Sequence, residues 1–273
     1  MMQIRLRPPC RREFDRSVYR PGVISLSRLL WGSVGAGGAL LCMAFLSEAC
    51  GVGVLYPPLA ATCFINATCV YLRVARPKQI IVGHFVSTVG GLLAVLVVTR
   101  LVNDPVLLVP LKLGLAVTFA AVFMQIFDAD HPPAAATAAI PALLPLPADT
   151  VLMPLHMAWG AVIAVLFSMA WSRPWFVYPP PENASSPVCL GMHMEKTETL
   201  GVGICVCAFV LMALKGLSLL SYHAGLVTML LGVSVLMVRH FFAFELIVHD
   251  SPPQGEDPGP LKDDARIGGQ TDL

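Results

Sequence analysis

Charge is what this sequence has least of. Asp, Glu, Lys and Arg make up 13% of its 273 residues, where a soluble domain carries about 25%. The net charge is +1, so there is no electropositive footprint for nucleic acid, which is excluded as a partner. A disulfide or zinc framework is missing as well. The eight cysteines (Cys10, Cys42, Cys50, Cys63, Cys69, Cys189, Cys205 and Cys207) are scattered mostly through apolar runs, without a Cys-x-x-Cys spacing. They read as small buried hydrophobes. The chain also lacks His-Glu-x-x-His, Gly-x-Ser-x-Gly and phosphate-binding Gly-Lys motifs. No cofactor and no resident metal are expected, and the chain is not read as an enzyme.

Apolar residues take the place of charge. They make up 56% of the chain, and the mean hydropathy is +0.73. Runs of about 20 apolar residues cross a bilayer's roughly 30 Å as helices. Helices and closed barrels are the only backbones that satisfy their own hydrogen bonds in lipid. The expected fold is all-α, a polytopic transmembrane helical bundle. Residues 1–28 carry seven arginines (Arg5, Arg7, Arg11, Arg12, Arg16, Arg20 and Arg28) against Glu13 and Asp15, as a cytoplasmic arm should under the positive-inside rule. Spans are expected at Leu29–Ser47, Gln79–Thr99, about Pro110–Phe127 and Thr150–Ser172. The polar linker 173–198 follows, then two further spans within 199–247 (Thr199–Ser221 and Ala224–Phe244). The tail 248–273, rich in Pro, Gly and Asp, reads as disordered. Small residues spaced by four in Gly32-Ser-Val-Gly-Ala-Gly-Gly-Ala39 suit close helix packing.

Between the spans lie two shorter segments. Tyr56-Pro-Pro-Leu-Ala-Ala-Thr-Cys-Phe-Ile aligns without gaps on His131-Pro-Pro-Ala-Ala-Ala-Thr-Ala-Ala-Ile, 75 positions later. Six of the ten positions agree: Pro57/Pro132, Pro58/Pro133, Ala60/Ala135, Ala61/Ala136, Thr62/Thr137 and Ile65/Ile140. Proline can open a helix but not continue one, so each motif starts a short helix. The one from Pro132 is expected to run about 15 residues, or about 22 Å. The core 29–172 therefore reads as span, short helix, span, done twice, over units 29–99 and 105–172. If the short segments cross the membrane, the N-terminal arm, the loop Arg73–Lys78, Arg173 and the tail share the cytoplasmic side. If they dip and return, Arg73, Arg76 and Lys78 face away from it. Crossing is the better reading. It makes the two units inverted and puts both termini in the cytoplasm; the sequence does not name the membrane.

Paired short, Pro-interrupted segments in two halves of a membrane protein point to a transport site. A helix N-terminus presents unpaired N–H groups and about half a unit of positive charge, a setting for a small anion. The candidate substrate-binding set is Pro57, Pro58 and Thr62 from one motif, His131, Pro132, Pro133, Ala134, Ala135, Ala136 and Thr137 from the other, and His84. Ionisable side chains at membrane depth are functional candidates. An imidazole there attracts an anion when protonated, carries a proton in symport, or stays neutral against a carbonyl. His156 is a weaker parallel. Asp128 and Asp130 would repel an anion. They are read first as caps of the helix starting at Pro132, with proton relay to His131 or cation binding as alternatives. Against all of this stands a plain packing role, in which Pro-Pro-Ala-Ala-Ala-Thr lets two helices cross tightly.

Ala75-Arg-Pro-Lys-Gln-Ile-Ile-Val-Gly-His84 and His131-Pro-Pro-Ala-Ala-Ala-Thr-Ala138 together resemble the HPP family of integral membrane proteins, over about residues 24 to 180. That family's signature usually continues Ala-Gly-Ala-Thr-Ala; here Ala135 replaces the glycine and adds a methyl where backbone could approach a ligand. The resemblance implies a permease or channel for a small inorganic anion, with nitrite the leading substrate because plant relatives are implicated in its transport. A non-transporting membrane scaffold or assembly protein, whose small-residue faces recruit partner helices, is the second reading. A membrane-embedded metalloenzyme built on Asp128-Ala-Asp-His131 is the third. The expected partners are the lipid bilayer and a small anion, with a homo-oligomer as an open alternative.

Overall fold

Proline marks the start of four helices. Pro57, Pro77, Pro105 and Pro132 each occupy a first helical position, where the N–H they lack would have had no partner. The residue before each, Tyr56, Arg76, Asp104 and His131, is extended, as the clash with the proline ring requires. The computed structural model describes residues 3–5, 23–54, 56–70, 72–144, 150–172, 188–189 and 192–249. Most of the Arg-rich arm, the 145–149 loop, most of the 173–198 linker and the tail from 250 lie outside the described residues.

The chain is an all-α, polytopic helical bundle, as the sequence predicts. Its helices are α1 (Leu26–Cys50), α2 (Pro57–Thr68), α3 (Pro77–Leu101), α4 (Pro105–Ile126), α5 (Pro132–Thr137), α6 (Ile140–Leu143), α7 (Met153–Ser172), α8 (Lys196–Ala213) and α9 (Leu219–His249). Six helical segments are long and apolar enough to cross a membrane: Leu29–Cys50, Pro77–Leu101, Pro105–Ile126, Thr150–Ser172, Lys196–Gly216 and Leu219–Val238. The strands among the described residues are two minimal pairs, β1 (Gln3–Arg5) with β2 (Val23–Ser25) and β3 (Val188–Cys189) with β4 (Met192–His193).

Three of the boundaries that differ from the sequence reading have a local cause. The helix expected to run about 15 residues from Pro132 breaks after six, at Thr137, and resumes at Ile140. Pro141 is the cause: it has no N–H for the Thr137 carbonyl, and its ring clashes there. The aligned position in the first unit is Asn66, and α2 runs unbroken for 12 residues. Helix α4 starts five residues before Pro110, because the Asp104 side chain accepts a hydrogen bond from the Val106 N–H at 2.9 Å. The break between the last two spans falls at Leu217–Ser218 rather than after Ser221. There the Ser218 hydroxyl accepts from the Ser221 N–H at 3.3 Å and caps α9.

Helix ends gather in two groups. At one, Trp31 near the start of α1 stacks on Trp171 near the end of α7, and Thr68 at the end of α2 lies against Gly32. At the other, His156 near the start of α7 bonds Tyr222 near the start of α9, and Lys215 between α8 and α9 donates to the Gly51 carbonyl beyond α1. Helix α2 leads toward the first group, while α5 and α6 lead from Asp128 toward the start of α7, so the short segments run in opposite directions.

The core is centred on α3 and α7, each 61% buried along its most apolar stretch; α4 is 11% buried and faces outward. Packing between the units is reciprocal. Helix α2 lies on α7 and α5 lies on α3, while α3 packs against α7, α1 against α7 and α4 against α3. Each short helix thus rests on the third helix of the opposite unit. Glycines make this possible. A Cβ on Gly83 would lie 3.0 Å from the Ala129 carbonyl oxygen, and one on Gly91 would lie 2.9 Å from Ala138 Cα. The glycine face of α1 is consumed within the molecule too: Gly35 meets Trp171 and Gly38 meets Phe167. Helices α8 and α9 pack on each other and join the core through α7, where Trp159 Nε1 donates to the Phe209 carbonyl at 3.2 Å.

Candidate functional site

The two Pro-Pro motifs converge on one imidazole. Thr62 lies just over one turn into α2 and Thr137 ends α5. Thr62 Oγ1 is 2.7 Å from His84 Nε2, and Thr137 Oγ1 is 2.8 Å from His84 Nδ1. His131, the residue that precedes Pro132, joins from the other side: its Nε2 is 2.9 Å from the same Thr62 oxygen. Its Nδ1 donates to the Val74 carbonyl at 2.7 Å. All four side chains, Thr62, His84, His131 and Thr137, have no exposed surface. The two rings meet edge to face with centroids 5.3 Å apart.

Local sequence explains each placement. Pro132 holds His131 extended, which turns its ring away from α5 and toward α2. Gly83, one residue before His84, lets His131 Cβ come within 3.1 Å of where its own Cβ would stand. Ala134 and Ala138 are fully buried, so the small side chains of the motif serve to bring α5 onto α3.

Of the sequence candidates, Thr62, His84, His131 and Thr137 form the network. Pro57, Pro58, Pro132 and Pro133 start the two helices beneath it. On α5, Ala134 is buried, Ala135 half-buried and Ala136 exposed, so Ala136 faces away from the network. The N–H of Ala134 donates to the His131 carbonyl at 2.8 Å, so this amide closes a turn. His156 is not brought in; it bonds Tyr222 OH at 2.6 Å near the far end of α7.

The carboxylates are placed differently from expectation. Neither Asp128 nor Asp130 caps α5, whose N-terminus has no side-chain cap. Asp128, with a positive φ of 50°, pairs with Arg73 and, at 3.3 Å, with Lys78 Nζ. Asp130 is exposed. The loop after α4 turns left-handed at Asp128, which aims that carboxylate at the turn before α3 rather than back at the helix it precedes. Among the described residues, no three His, Cys, Asp or Glu side chains cluster as metal ligands.

Sequence reasoning missed two participants. The Val74 carbonyl is a backbone group that no motif announces. Asn66, one turn beyond Thr62 on the same face of α2, is 2% exposed and neither atom of its carboxamide has a protein partner. A polar residue inside a short apolar segment was the available signal. The Ser168 hydroxyl bonds its backbone oxygen at 3.0 Å.

Comparison with curated proteins and with solved structures gives no match. The model of the HPP transmembrane region matches residues 21–179, which takes in both Pro-Pro motifs and α1 to α7 and leaves out α8 and α9. That span is more than half of the chain, and the network of His131, Thr62, His84 and Thr137 lies inside it: this is a multi-pass integral membrane protein of the HPP family.

Proposed function

We propose that the chain carries a small inorganic anion across the bilayer, nitrite foremost, through the point where α2 and α5 meet. One observation carries this reading: the matching threonines of two distant motifs bond the two nitrogens of a single buried imidazole. A device for tight helix crossing needs no such group. Polar side chains at membrane depth are costly and are kept where they serve a pathway. Of the carboxylates that would repel an anion, Asp128 is held by Arg73 and Lys78 at the rim and Asp130 is exposed; neither bonds to the network. Hydroxyl and ring N–H donors remain. The four side chains fill the passage in this conformation, so carriage needs α2 and α5 to separate, in the manner of repeat units that rock about a central site. Nitrite itself comes from the family resemblance.

The test is uptake of nitrite, nitrate and chloride into vesicles holding the purified chain. Saturable nitrite uptake that falls at least tenfold in both Thr137→Val and His131→Gln supports the reading. Uptake that is unchanged in both variants discards the site. No flux of any ion, together with a stable co-purifying membrane partner, favours the scaffold.

A further inference from the structure

The protons of this network have one consistent placement when both rings are neutral. A carbonyl can only accept, so His131 Nδ1 carries a hydrogen and gives it to Val74. The other nitrogen of that ring is then bare, and its donor is the Thr62 hydroxyl. Thr62 has spent its only hydrogen, so its oxygen accepts from His84 Nε2–H. His84 Nδ1 is left bare and accepts from the Thr137 hydroxyl. The two histidines therefore hold opposite tautomers. Donation runs one way, from Thr137 through His84, Thr62 and His131 to Val74.

One added proton also fits. Placed on His131 Nε2, it turns the Thr62 hydrogen toward the Pro58 carbonyl, 3.2 Å from that oxygen. Thr62 then accepts from both rings with its two lone pairs. Placed on His84 Nδ1, it donates to Thr137 Oγ1. Passage from His84 to His131 breaks the His84 Nε2–H and Thr62 Oγ1–H bonds and forms Thr62 Oγ1–H and His131 Nε2–H. It leaves His84 neutral with its hydrogen on Nδ1, toward Thr137, and Thr62 donating to the bare Nε2. One proton enters and no other reactant is needed. A second would set two cationic rings 5.3 Å apart with no carboxylate between them. The charged groups flanking the network are Asp130, next to His131 and exposed, and Arg73, Arg76, Lys78 and Asp128 at the outer turn, where Asp128 pairs with Arg73 and Lys78. Of the other titratable groups on the packed elements, Tyr56 and Cys63 lie at α2, Arg100 and Lys112 lie toward the far ends of α3 and α4, and His156 is bonded to Tyr222. Helices α5 and α6 carry none.

We propose that His84, Thr62 and His131 form a binding site for one proton, handed between the rings by the Thr62 hydroxyl, and that this proton is the coupling ion for solute passage. The coupling role rests on the transport reading above; the proton site does not.

The experiment uses the full-length chain labelled with 15N-histidine in lipid nanodiscs, with nitrogen chemical shifts followed against pH. The two rings are assigned by difference from His84→Gln and His131→Gln. Expected are an Nδ1–H ring at His131 and an Nε2–H ring at His84, one proton taken up by the pair on acidification, and the same pattern in Thr62→Ser. Thr62→Val, checked for its unfolding temperature, keeps the Nδ1–H ring at His131, which the Val74 carbonyl still fixes, and loses the fixed tautomer at His84. The same tautomer in both rings, two protons bound independently, or wild-type shifts in a folded Thr62→Val would overturn the proton site. The wild-type tautomers decide alone if the valine variant does not fold. In vesicles, nitrite uptake that rises at least threefold under an imposed pH gradient supports coupling. Uptake indifferent to the gradient overturns the coupling and leaves the proton site standing. Absence of any flux overturns the transport reading, and the coupling with it.

Discussion

Thr62 and Thr137 are 75 positions apart and bond opposite nitrogens of one ring, that of His84. Each sits five residues after the first proline of its motif. The internal repeat is thus more than an echo in the text. It places equivalent hydroxyls on either side of a shared acceptor and donor, with α2 and α5 approaching that ring along opposite directions.

The two hydroxyls do unequal work, which orders their variants. Thr137 serves one ring nitrogen, whereas Thr62 serves one on each histidine. A buried polar group left without its partner costs about 1–3 kcal/mol. Thr62→Val is expected to lower the unfolding temperature in detergent more than Thr137→Val does. Thr62→Ser should recover most of the loss. Equal losses would mean that the second contact of Thr62 contributes nothing.

The glycines of α3 are a separate test of how the site is assembled. Gly91 lies against Ala138, so a methyl there forces α5 and α6 off α3. Overpacking of this kind costs about 1–3 kcal/mol. Gly91→Ala is expected to lower the unfolding temperature clearly, and Gly83→Ala less so, because its nearest neighbours stand at 3.0–3.4 Å. Gly37 has nothing within 4 Å, so Gly37→Ala should be neutral or, through helix propensity, slightly stabilising.

Much of this was legible because the controlling residues act locally. Pro57 and Pro132 start helices whatever surrounds them, and apolar runs of span length have one use in a bilayer. Pro77 and Pro105 open α3 and α4 in the same way, although the apolar runs alone suggest later starts at Gln79 and Pro110. The two motifs could be paired by eye, since identical side chains recur in register. What sequence could not supply depends on residues far apart in the chain. Nothing in Asp128-Ala-Asp130 says that the first carboxylate turns left-handed toward Arg73 and Lys78 while the second stays exposed. Nothing in the text around Val74 says that its carbonyl anchors the His131 ring. The break at Thr137 was available from Pro141 and was passed over in favour of the alanine-rich composition around it.

The rim charge gives a further expectation. Asp128 holds two cations, one of which, Lys78, has a side chain only 8% exposed. Asparagine tolerates the positive φ about as well as aspartate does, so Asp128→Asn isolates the charge from the backbone. Loss of the carboxylate facing a nearly buried ammonium is expected to cost about 1–2 kcal/mol, less than a fully buried pair because Asp128 itself is one-third exposed. The unfolding temperature measured at low and at high salt checks this. The deficit of Asp128→Asn should shrink at about 1 M salt, where screening weakens the exposed Arg73 pair in the wild type.

Asn66 supplies the sharpest expectation outside the network. It is buried and lines a crevice together with Ala39, Cys63, Ala164, Ser168 and Ser172, and neither polar atom of its carboxamide has a protein partner. The Ser168 and Ser172 hydroxyls bond its backbone oxygen instead. A buried amide with no hydrogen bond destabilises by about 1–3 kcal/mol relative to an apolar group of the same shape. If the crevice is dry, Asn66→Leu, close in volume, should keep or raise the unfolding temperature. If the variant instead loses several degrees, the carboxamide is held in the membrane by something the protein does not provide, such as water or solute. Asn66 stands one helical turn from Thr62 on α2, so that second outcome would place water or solute between the paired imidazoles and the end of the bundle where Trp31 and Trp171 stack.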